Sequence, residues 1–388
     1  MHLHEYQAKD LLVSYKISTP PYRVLSSPSE SEDVIQEMGI SSGVVKVQVH
    51  AGGRGKNGGV RIARSVTEIQ DAIRQLLGMR FVSDQTSGEA LPVEKVLITP
   101  LVDIATEYYI AIYVDRKHRC PAIILSKAGG IDIEEVAIKS PEQLLTVFLS
   151  PYARIYNYQM RRILKFMRWE GELGKQGTQL IHKLIQCFYD NDAFLLEINP
   201  LVLTTEGNLF VLDAKMTIDD NALYRHPKLE VLYDPSQENI RDVLAKQMGL
   251  SYISLDGNIG CLVNGAGLAM STLDILKIHG GSAANFLDIG GSASEEQIQK
   301  AISLVLSDEN VRVLFINIFG GIMNCSEIAS GLVAVMQERE NSLPTVVRLE
   351  GTNSEQGKEI LRRSGISCQF TDSLDEGAKL AVALSKYI

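Results

Sequence analysis

The stretch VKVQVHAGGRGKNGGVRIA, from Val45 to Ala63, places five glycines between two alternating runs of apolar residues. In an extended strand, alternate side chains point to opposite faces, so the first run has an apolar and a polar face. The apolar face carries Val45, Val47 and Val49, and the polar face carries Lys46, Gln48 and His50. The stretch therefore predicts two strands joined by a glycine-rich loop.

This loop does not fit the phosphate-binding loop of the Walker type. That motif needs GxxxxGK followed by Ser or Thr and then a helix. Here Gly55 and Lys56 are followed by Asn57, position 50 is His50 instead of glycine, and the chain continues into the strand-like GVRIA. The sequence therefore excludes a P-loop at this position.

Two interpretations of the loop stay open. One is a plain hairpin turn with surface glycines. The other is a mobile flap that binds phosphate: a lysine within an apolar strand is costly to desolvate unless an anion meets it. A flap carrying Arg54 and Lys56 beside Lys46 would suit a nucleoside triphosphate.

Composition and charge limit the class of protein. The chain has 388 residues and 45% hydrophobic composition, which suggests two or three globular domains. Its net charge of −9 argues against nucleic acid as a partner. We expect no membrane contact, since no run of about 18 apolar residues occurs. Five well-separated cysteines without CxxC indicate reduced thiols in a cytosolic or matrix-type compartment. Because the N-terminus lacks a presequence pattern, we expect a cytoplasmic, bacterial-type protein without a targeting sequence.

The chain is expected to divide near Asp234, into residues 1–235 and residues 236–388. The second part repeats a strand-then-helix plan five times, which predicts a doubly wound parallel sheet covered by helices on both faces, flavodoxin-like or Rossmann-like. Ser294 is a candidate N-cap before two glutamates. The strand segments are IGCLVNGAG, AANFLDIGG, VRVLFINIFGG, PTVVRLEGT and ISCQFTDS.

The first part is less regular and predicts an antiparallel α+β lobe built on hairpins. Residues 141–192 are expected to be mostly helical, and a hairpin, AFLLEINPLVLTTEGNLFVLDAKM, follows them. The other expected strands are GVVKVQV, GVRIA, VEKVLITPLV, TEYYIAIYVDR and CPAIILS.

The closing hairpin places four polar side chains on one face. A three-residue turn, Thr205–Gly207, sets a register in which Asn199 lies opposite Asp213 and Glu197 lies opposite Lys215. Residues that face each other across two strands have Cβ atoms about 5 Å apart. Two oxygen ligands at that distance suit Mg²⁺, which takes one or two protein oxygens together with phosphates and water. The alternative is a solvated polar face at the edge of a sheet.

Glycine-rich turns between strands and helices form a third constellation. NIFGGIMNCSEIA predicts a helix that opens at Gly320 and Gly321, and VNGAGLAM around Asn264 predicts a second such turn. Helix N-termini bind anions, and both turns would lie at the carboxyl edge of a parallel sheet. Ordinary packing is the alternative. DIGGSA, at Gly290 and Gly291, is a further candidate turn without assigned chemistry. The sequence contains neither HExxH nor GxSxG, so we see no obvious covalent nucleophile.

Several strings together resemble a known family. LHEYQAK, KVQVHAGGRGK, EINPLV, DGNIGCLVNGAGLAM, NIFGGI and VVRLEGTN are similar to the beta subunit of succinyl-CoA synthetase, also called succinate–CoA ligase, and the similarity runs from Met1 to near Ile388. The resemblance implies an α/β chain with a two-subdomain ATP-grasp fold followed by a flavodoxin-like domain. It also implies an alpha-subunit partner that carries a phosphorylated histidine and most of the CoA site.

The resemblance implies roles for individual residues. It predicts a reversible, ADP-forming acid–thiol ligase that uses ATP or GTP, CoA, succinate and one Mg²⁺. Asn199 and Asp213 would hold the metal, and Glu197 would orient the partner's histidine. The helix after Gly321 would aim its positive end at the phosphoryl group. The nucleotide pocket would contain Lys46, Gly53, Arg54, Gly55, Thr99, Val102 and Glu107, and the succinate site would contain Asn264, Gly321, Ile322 and Met323.

Four positions depart from the family pattern. Thr99 stands where an acidic residue is common, which leaves ATP and GTP both open, and Ala128 stands where glutamate is frequent. Asn324 and Ser326 replace a basic and an acidic residue. Two other functions stay open: the beta subunit of another acid–CoA ligase, such as one that uses malate, and a non-catalytic scaffold that binds nucleotide.

Overall fold

The structure is a computed structural model that describes residues 1–83, 86, 90–131, 133–291, 293–321, 323–339 and 343–386. The chain divides into two compact units, Met1–Gln237 and Glu238–Ile388. No helix within these described ranges is long and apolar enough to cross a membrane.

The first unit combines thirteen described strands with seven α-helices. The strands are β1 (His2–Leu3), β2 (Arg23–Leu25), β3 (Gly43–Val47), β4 (Val60–Ala63), β5 (Arg80–Phe81), β6 (Leu91–Pro92), β7 (Val96–Pro100), β8 (Ile104–Asp115), β9 (Cys120–Ser126), β10 (Leu144–Phe148), β11 (Ala193–Thr204), β12 (Leu209–Val211) and β13 (Ala214–Ile218). The helices are α1 (Glu5–Ser14), α2 (Ser31–Met38), α3 (Val66–Leu76), α4 (Ile133–Lys139), α5 (Asn157–Met167), α6 (Gly171–Asp190) and α7 (Pro227–Glu230).

The strands of this unit form two larger antiparallel sheets, as the hairpin-rich sequence predicts. The larger sheet has the order β1-β13-β11-β8-β9-β10, with β12 paired to β11, and the smaller has the order β2-β7-β3-β4. A short pair, β5 and β6, lies apart from both. Each larger sheet has its own apolar core, so the unit contains two subdomains, as expected for an ATP-grasp fold.

One strand of the larger sheet falls where the sequence predicts mostly helix. Leu144–Phe148 forms β10 and pairs with β9, within the segment 141–192 that we expected to be helical. Leu145 and Val147 alternate into the core while their neighbours are more exposed. The expectation was wrong at this point because a five-residue apolar run does not distinguish strand from helix by periodicity.

The valine face of β3 packs as predicted. Val45 and Val47 are fully buried in the core of the smaller sheet, together with Ile69 and Ile73 of α3. Lys46 lies on the opposite face and is also buried, so this charged side chain must find its partners inside the protein.

Among its described residues, the second unit contains six strands and six α-helices. The strands are β14 (Ser251–Ser254), β15 (Ile259–Val263), β16 (Ala283–Asp288), β17 (Val313–Gly320), β18 (Thr345–Gly351) and β19 (Cys368–Phe370). The helices are α8 (Ile240–Gln247), α9 (Ala266–Ile278), α10 (Glu295–Leu306), α11 (Cys325–Gln337), α12 (Ser354–Ser364) and α13 (Leu374–Ser385).

The sheet of the second unit has the order β14-β16-β15-β17-β18-β19. The five strands from β15 to β19 are parallel, and their order is that of the flavodoxin-like fold. One core lies between the sheet and the helices α10, α11 and α12, and the other contains residues of α9 and α13. The prediction of a doubly wound sheet is confirmed.

An additional edge strand corrects the expectation of a purely parallel sheet. β14 pairs antiparallel with β16, and it is only four residues long. Tyr252 is buried while Ser251 and Ile253 are exposed, the alternation of a strand with one covered face.

Helix starts in this unit confirm one prediction and correct another. Ser294 caps α10, as expected, by accepting a hydrogen bond from the Gln297 amide at 3.3 Å. The helix expected to open at Gly320 begins instead at Cys325, because Asn324 supplies the N-cap. Gly320 is the last residue of β17 and has a positive φ of 121°, so the double glycine ends the strand.

Candidate functional site

The glycine-rich loop joins two antiparallel strands. β4 follows the loop and pairs with β3, which confirms that no helix follows and that the loop is not a P-loop. Gly53 has a positive φ of 69°. A Cβ atom at Gly59 would lie 2.7 Å from Val47 and 2.9 Å from Phe81, so the chain needs glycine to return to β4. A Cβ atom at Gly55 would meet no atom of the described residues within 4 Å.

Lys46 and Arg54, two of the three cations predicted to meet phosphate, are held by the same carboxylate. Lys46 Nζ donates to Glu5 Oε1 at 3.0 Å and to the carbonyl oxygen of Leu212 at 2.8 Å. Arg54 Nη1 lies 2.8 Å from Glu5 Oε2. The polar face of β3, the glycine-rich loop and α1 therefore meet at Glu5.

Arg54 also reaches the predicted metal ligand. Its Nη2 donates to Asp213 Oδ1 at 2.6 Å, and its Nη1 donates to the carbonyl oxygen of Val47 at 2.9 Å. Burial alone would lower the pKa of Arg54, but Asp213 and Glu5 raise it above its ordinary value. The guanidinium is therefore a permanent cation that connects the glycine-rich loop to the hairpin.

Glu5 and Lys9 are functional candidates that the sequence analysis missed. Both are buried, and Lys9 Nζ lies 2.8 Å from Glu5 Oε1. Burial by itself would raise the pKa of Glu5, but three nearby cations together hold it well below its usual range. A signal was available: with Ala8 and Leu12, these two charges occupy one face of α1, and that face is apolar apart from them.

The hairpin has the predicted register. Glu197 pairs with Lys215, and the Asn199 amide donates to the carbonyl oxygen of Asp213 at 3.3 Å. The turn closes at Gly207, whose φ is 85°. The structure therefore brings the two proposed metal ligands to facing positions on neighbouring strands.

The side chain of Asn199 is held by a nearby loop. Its Oδ1 accepts from the Gly130 amide at 2.7 Å, and its Nδ2 donates to the carbonyl oxygen of Ile131 at 3.0 Å. Glu107 approaches the same loop, since a Cβ atom at Gly130 would lie 2.2 Å from Glu107 Oε2. Glu107 of the predicted nucleotide pocket and the proposed metal ligand Asn199 therefore both lie beside the loop at Gly130.

The oxygens at this position fit a hard divalent cation. Asn199 and Asp213 offer an amide and a carboxylate oxygen, which is the ligand chemistry that Mg²⁺ prefers. The Asp213 side chain keeps 31% of its surface exposed, so it is open to a ligand although one oxygen contacts Arg54. Metal binding at Asp213 Oδ1 would therefore have to compete with Arg54.

Glu197 lies in a polar and partly buried environment. Burial raises its pKa above the ordinary value, and the charges of Glu134 and Asp213 act in the same direction. Lys215 and a hydrogen bond with Tyr109 oppose this rise. Glu197 therefore lies among groups of both charge signs, one of which is the proposed metal ligand Asp213.

The remaining residues of the predicted nucleotide pocket lie on or beside β7. Thr99 pairs with Val44 of β3, and this register puts Thr99 on the same face of the sheet as Lys46. Thr99 is buried, and its hydroxyl donates to the carbonyl oxygen of Pro21 at 3.0 Å. Val102 is half-buried in the connection from β7 to β8.

A second candidate site lies at the carboxyl ends of three adjacent parallel strands, β16, β15 and β17. Here a cleft of about 290 Å³ joins all three glycine-rich turns that the sequence singled out, including the one without assigned chemistry. This edge is where ligands bind in open α/β sheets. The cleft is lined by Asn264, Gly265, Asp288, Gly290, Gly291, Phe319, Gly320 and Gly321.

Asn264 holds two of these turns together. Its Oδ1 accepts from the Phe319 amide and its Nδ2 donates to the Phe319 carbonyl oxygen, each at 2.9 Å. Asp288, which the sequence analysis missed, accepts from the Gly265 amide at the start of α9. One helix N-terminus in the cleft therefore already has a carboxylate as its anion.

The succinate residues proposed after β17 differ in position. Gly321 is exposed and lines the cleft, whereas Ile322 lies outside the described residues. The Met323 side chain is 1% exposed and belongs to the core, so only its backbone is available to a ligand. Two of the departures from the family pattern form the cap of α11, since Asn324 Oδ1 accepts from the Ser326 amide at 3.1 Å.

Comparisons with known proteins define the class. An ATP-grasp domain model matches residues 2–203, and a CoA-ligase model matches residues 262–382. The fold is similar to that of the ATP citrate lyase of Methanothrix soehngenii, solved with citrate and coenzyme A, with a TM-score of 0.72 at 19% identity over 98% of this chain and 99% of that one. The chain thus joins an ATP-grasp module to a CoA-ligase module.

Curated relatives define the family more narrowly. The chain is 79% identical over 388 residues, the full length of both proteins, to the succinate–CoA ligase [ADP-forming] subunit beta of Chlamydia felis (strain Fe/C-56). It is 69% identical to the protein of the same name from Chlamydia pneumoniae, over 99% of this chain and all of that one. The chain belongs to the family of succinate–CoA ligase beta subunits, which confirms the resemblance.

Proposed function

We propose that this chain is the nucleotide-binding subunit of an ADP-forming succinate–CoA ligase. With an alpha-type partner subunit it would convert succinate, CoA and a nucleoside triphosphate into succinyl-CoA, a nucleoside diphosphate and phosphate, reversibly. The observation that supports the proposal is that Arg54 donates to Asp213, across from Asn199, while Lys46 donates to the carbonyl oxygen of the preceding residue, Leu212. Cations and oxygen ligands side by side are what a metal–triphosphate requires.

The nucleotide would bind between the glycine-rich loop and the hairpin. Lys46 and Arg54 would neutralise phosphate charge, and the backbone of Gly53 and Gly55 would allow the loop to approach the phosphates closely. Val102 and Glu107 would line the rest of the pocket. Because the named relatives are ADP-forming, we propose ATP as the triphosphate, with the Thr99 hydroxyl engaged by the backbone and not by the base.

One Mg²⁺ would be held by Asn199 and Asp213. When bound, this ion supplies positive charge next to the phosphate oxygens that carry the developing negative charge of phosphoryl transfer. The amide and carboxylate oxygens of the two residues support this assignment, as does their facing position on neighbouring strands. Arg54 would keep Glu5 as its carboxylate partner when Asp213 turns to the ion.

We propose that the covalent intermediate of this reaction forms on the partner subunit. The terminal phosphoryl group would leave the nucleoside diphosphate and form a P–N bond with a histidine of the alpha subunit, which Glu197 would orient. The phosphoryl group would then pass to a carboxylate oxygen of succinate. The CoA thiol would attack the resulting acyl phosphate, releasing phosphate and leaving the thioester.

The second unit would receive succinate and the phosphohistidine in its cleft. Asn264 keeps the cleft in shape, and the backbone around Gly321 and Met323 would offer N–H donors to anionic oxygens. Most of the CoA site would belong to the alpha subunit. We propose that the two modules are residues 1–235 and 236–388 and that the protein works in the bacterial cytoplasm, as expected for relatives from Chlamydia species.

The experiment is reconstitution with an alpha-type subunit and measurement of thioester formation from CoA and Mg-ATP. Succinate, malate and citrate are compared at equal concentration. We expect thioester with succinate at a rate at least about tenfold above the other two acids. A preference for malate would assign the chain to another acid–CoA ligase, and no thioester with any acid would favour the non-catalytic scaffold.

A further inference from the structure

Glu5 is a buried carboxylate that contacts both cations proposed to bind phosphate. One oxygen accepts from Lys46 at 3.0 Å, and the other lies 2.8 Å from Arg54. Only 4% of the residue is exposed, so neither contact is exchanged freely with water. Glu5 is the first residue of α1. Lys46, which it contacts, lies on β3 of the smaller sheet, and Arg54 lies on the glycine-rich loop.

We infer that Glu5 is a positioning residue of the nucleotide site, which sets the side chains of Lys46 and Arg54 before the phosphates arrive. Long cationic side chains have many rotamers, and fixing them in advance reduces the entropy lost on binding. The two backbone acceptors, Leu212 and Val47, hold the same two cations from other directions. The inference rests on the proposed function of the site.

The charge balance of the cluster favours this role over a purely structural one. Three cations, Lys9, Lys46 and Arg54, surround two carboxylates, Glu5 and Asp213, which leaves one positive charge in excess among these side chains. Each cation has a carboxylate partner, but the excess of positive charge in the cluster favours an incoming anion.

Lys9 differs from the other two cations. Its side chain has no exposed surface, and its Nζ shares Glu5 Oε1 with Lys46. The ring of Tyr22 lies 5.4 Å from the same ammonium group. Lys9 is therefore the charge partner of Glu5 and not a contact for a ligand, which makes it possible to separate stability from positioning.

The test compares Mg-ATP binding by the full chain and its variants, using calorimetry, with thermal unfolding measured in parallel. The double variant Glu5→Gln/Lys9→Met removes one charge of each sign, so it keeps the net charge of the cluster. We expect it to unfold near the temperature of the parent chain and to bind Mg-ATP about tenfold or more weakly. Glu37→Gln, at an exposed glutamate of α2, is the matched control and should bind like the parent.

A conservative variant, Glu5→Asp, is measured as well, because the double variant could fail to fold. Glu5→Asp keeps the charge but shortens the side chain by one methylene, so it should fold and bind Mg-ATP with intermediate affinity. In the reconstituted enzyme it should raise the KM for ATP more than it lowers kcat. If the folded double variant or Glu5→Asp binds Mg-ATP within about twofold of the parent, the inference is overturned. Failure of the parent itself to bind Mg-ATP would instead refute the proposed function.

Discussion

The two candidate sites of this chain are built from opposite materials. The site in the first unit is a cluster of charges from distant positions, with Glu5, Arg54 and Asp213 as its centre. The cleft in the second unit is made largely of glycine backbone at the ends of three neighbouring strands, shaped by the neutral side chain of Asn264. Ion pairs hold the first site together, whereas the course of the backbone shapes the second.

Because of this difference, the two sites should tolerate different kinds of substitution. A charge cluster depends on the balance of its partners, because a buried ion left alone loses its solvation without compensation. A backbone cleft depends on shape, because an added methyl group either collides or finds space. Changes of charge should therefore damage the first unit, and changes of volume should damage the second.

The largest expected effect follows from removing the carboxylate of Asp213. Asp213→Ala deletes one of the two metal ligands and one partner of Arg54. We expect ATP-dependent phosphorylation of the alpha subunit to fall at least about a hundredfold, measured by transfer of labelled phosphate.

Asp71→Ala is the control, since Asp71 is an exposed aspartate of α3 that pairs only with Arg74 in the described structure. It should phosphorylate the partner at the rate of the parent enzyme. Phosphorylation at normal rate by Asp213→Ala would refute the assignment of the metal ligand.

The next largest expected effect is the loss of stability that follows when the charge of Glu5 is removed. Glu5→Gln leaves Lys9, Lys46 and Arg54 around a neutral side chain, and breaking such a buried ion pair costs about 3–5 kcal/mol. Urea unfolding of the full chain, followed by a probe in the first unit, should show this loss. The exposed variant Glu37→Gln should change the free energy of unfolding by less than about 1 kcal/mol. Equal stability of the two variants would show that the cluster does not depend on charge.

Two substitutions that add a methyl group to a glycine test the cleft of the second unit. A Cβ atom at Gly351, whose φ is 127°, would lie 1.9 Å from the carbonyl oxygen of Gly320. Gly351→Ala should therefore lower the free energy of unfolding by about 2–4 kcal/mol.

Gly321→Ala is the matched variant, because a Cβ atom at Gly321 meets no described atom within 4 Å. It should leave stability within about 0.5 kcal/mol of the parent and raise the KM for succinate, because Gly321 lines the cleft. Similar unfolding of the Gly351 and Gly321 variants would refute the view that strand-end geometry shapes this site.

A smaller effect is expected from acid. Burial, followed by the charges of His4 and His2, lowers the pKa of His50 to about 3. An unfolded His50 takes a proton near pH 6.5, whereas the folded one stays neutral, so stability is lost as the pH falls below 6.5. At pH 5 this loss is about 2 kcal/mol.

His50→Phe should remove this loss, since neither ring nitrogen has a hydrogen-bond partner among the described residues. The free energy of unfolding at pH 7.5 and pH 5 is compared for the parent and the variant. The acid sensitivity should be confined to a probe of the first unit. If both proteins lose equal stability between the two pH values, His50 is not the source.

Local patterns predicted much of the fold. The five parallel strands, the cap at Ser294 and the register that sets Asn199 opposite Asp213 all depend on residues close together in the sequence. Short elements were harder, because β10 and β14 have only five and four residues and carry little periodicity. The start of α11 was misplaced because the glycines before it resemble a helix opening, whereas Asn324 is the actual cap.

The charge cluster was predicted only in part. Lys46 was recognisable because it interrupts an apolar strand, and Asp213 because of the hairpin register. Their connection passes through the Lys46–Glu5 contact, 41 positions apart, and the Arg54–Asp213 contact, 159 positions apart, and no local rule pairs one particular lysine with one particular glutamate. The charged pair on the buried face of α1 indicated a partner but not its identity.

The most direct test of the nucleotide site is a calorimetric titration of the full chain with Mg-ATP and, separately, with Mg-GTP. We expect one saturable site for Mg-ATP, with binding lost in Asp213→Ala. Binding of neither nucleotide by the folded parent chain would contradict this expectation.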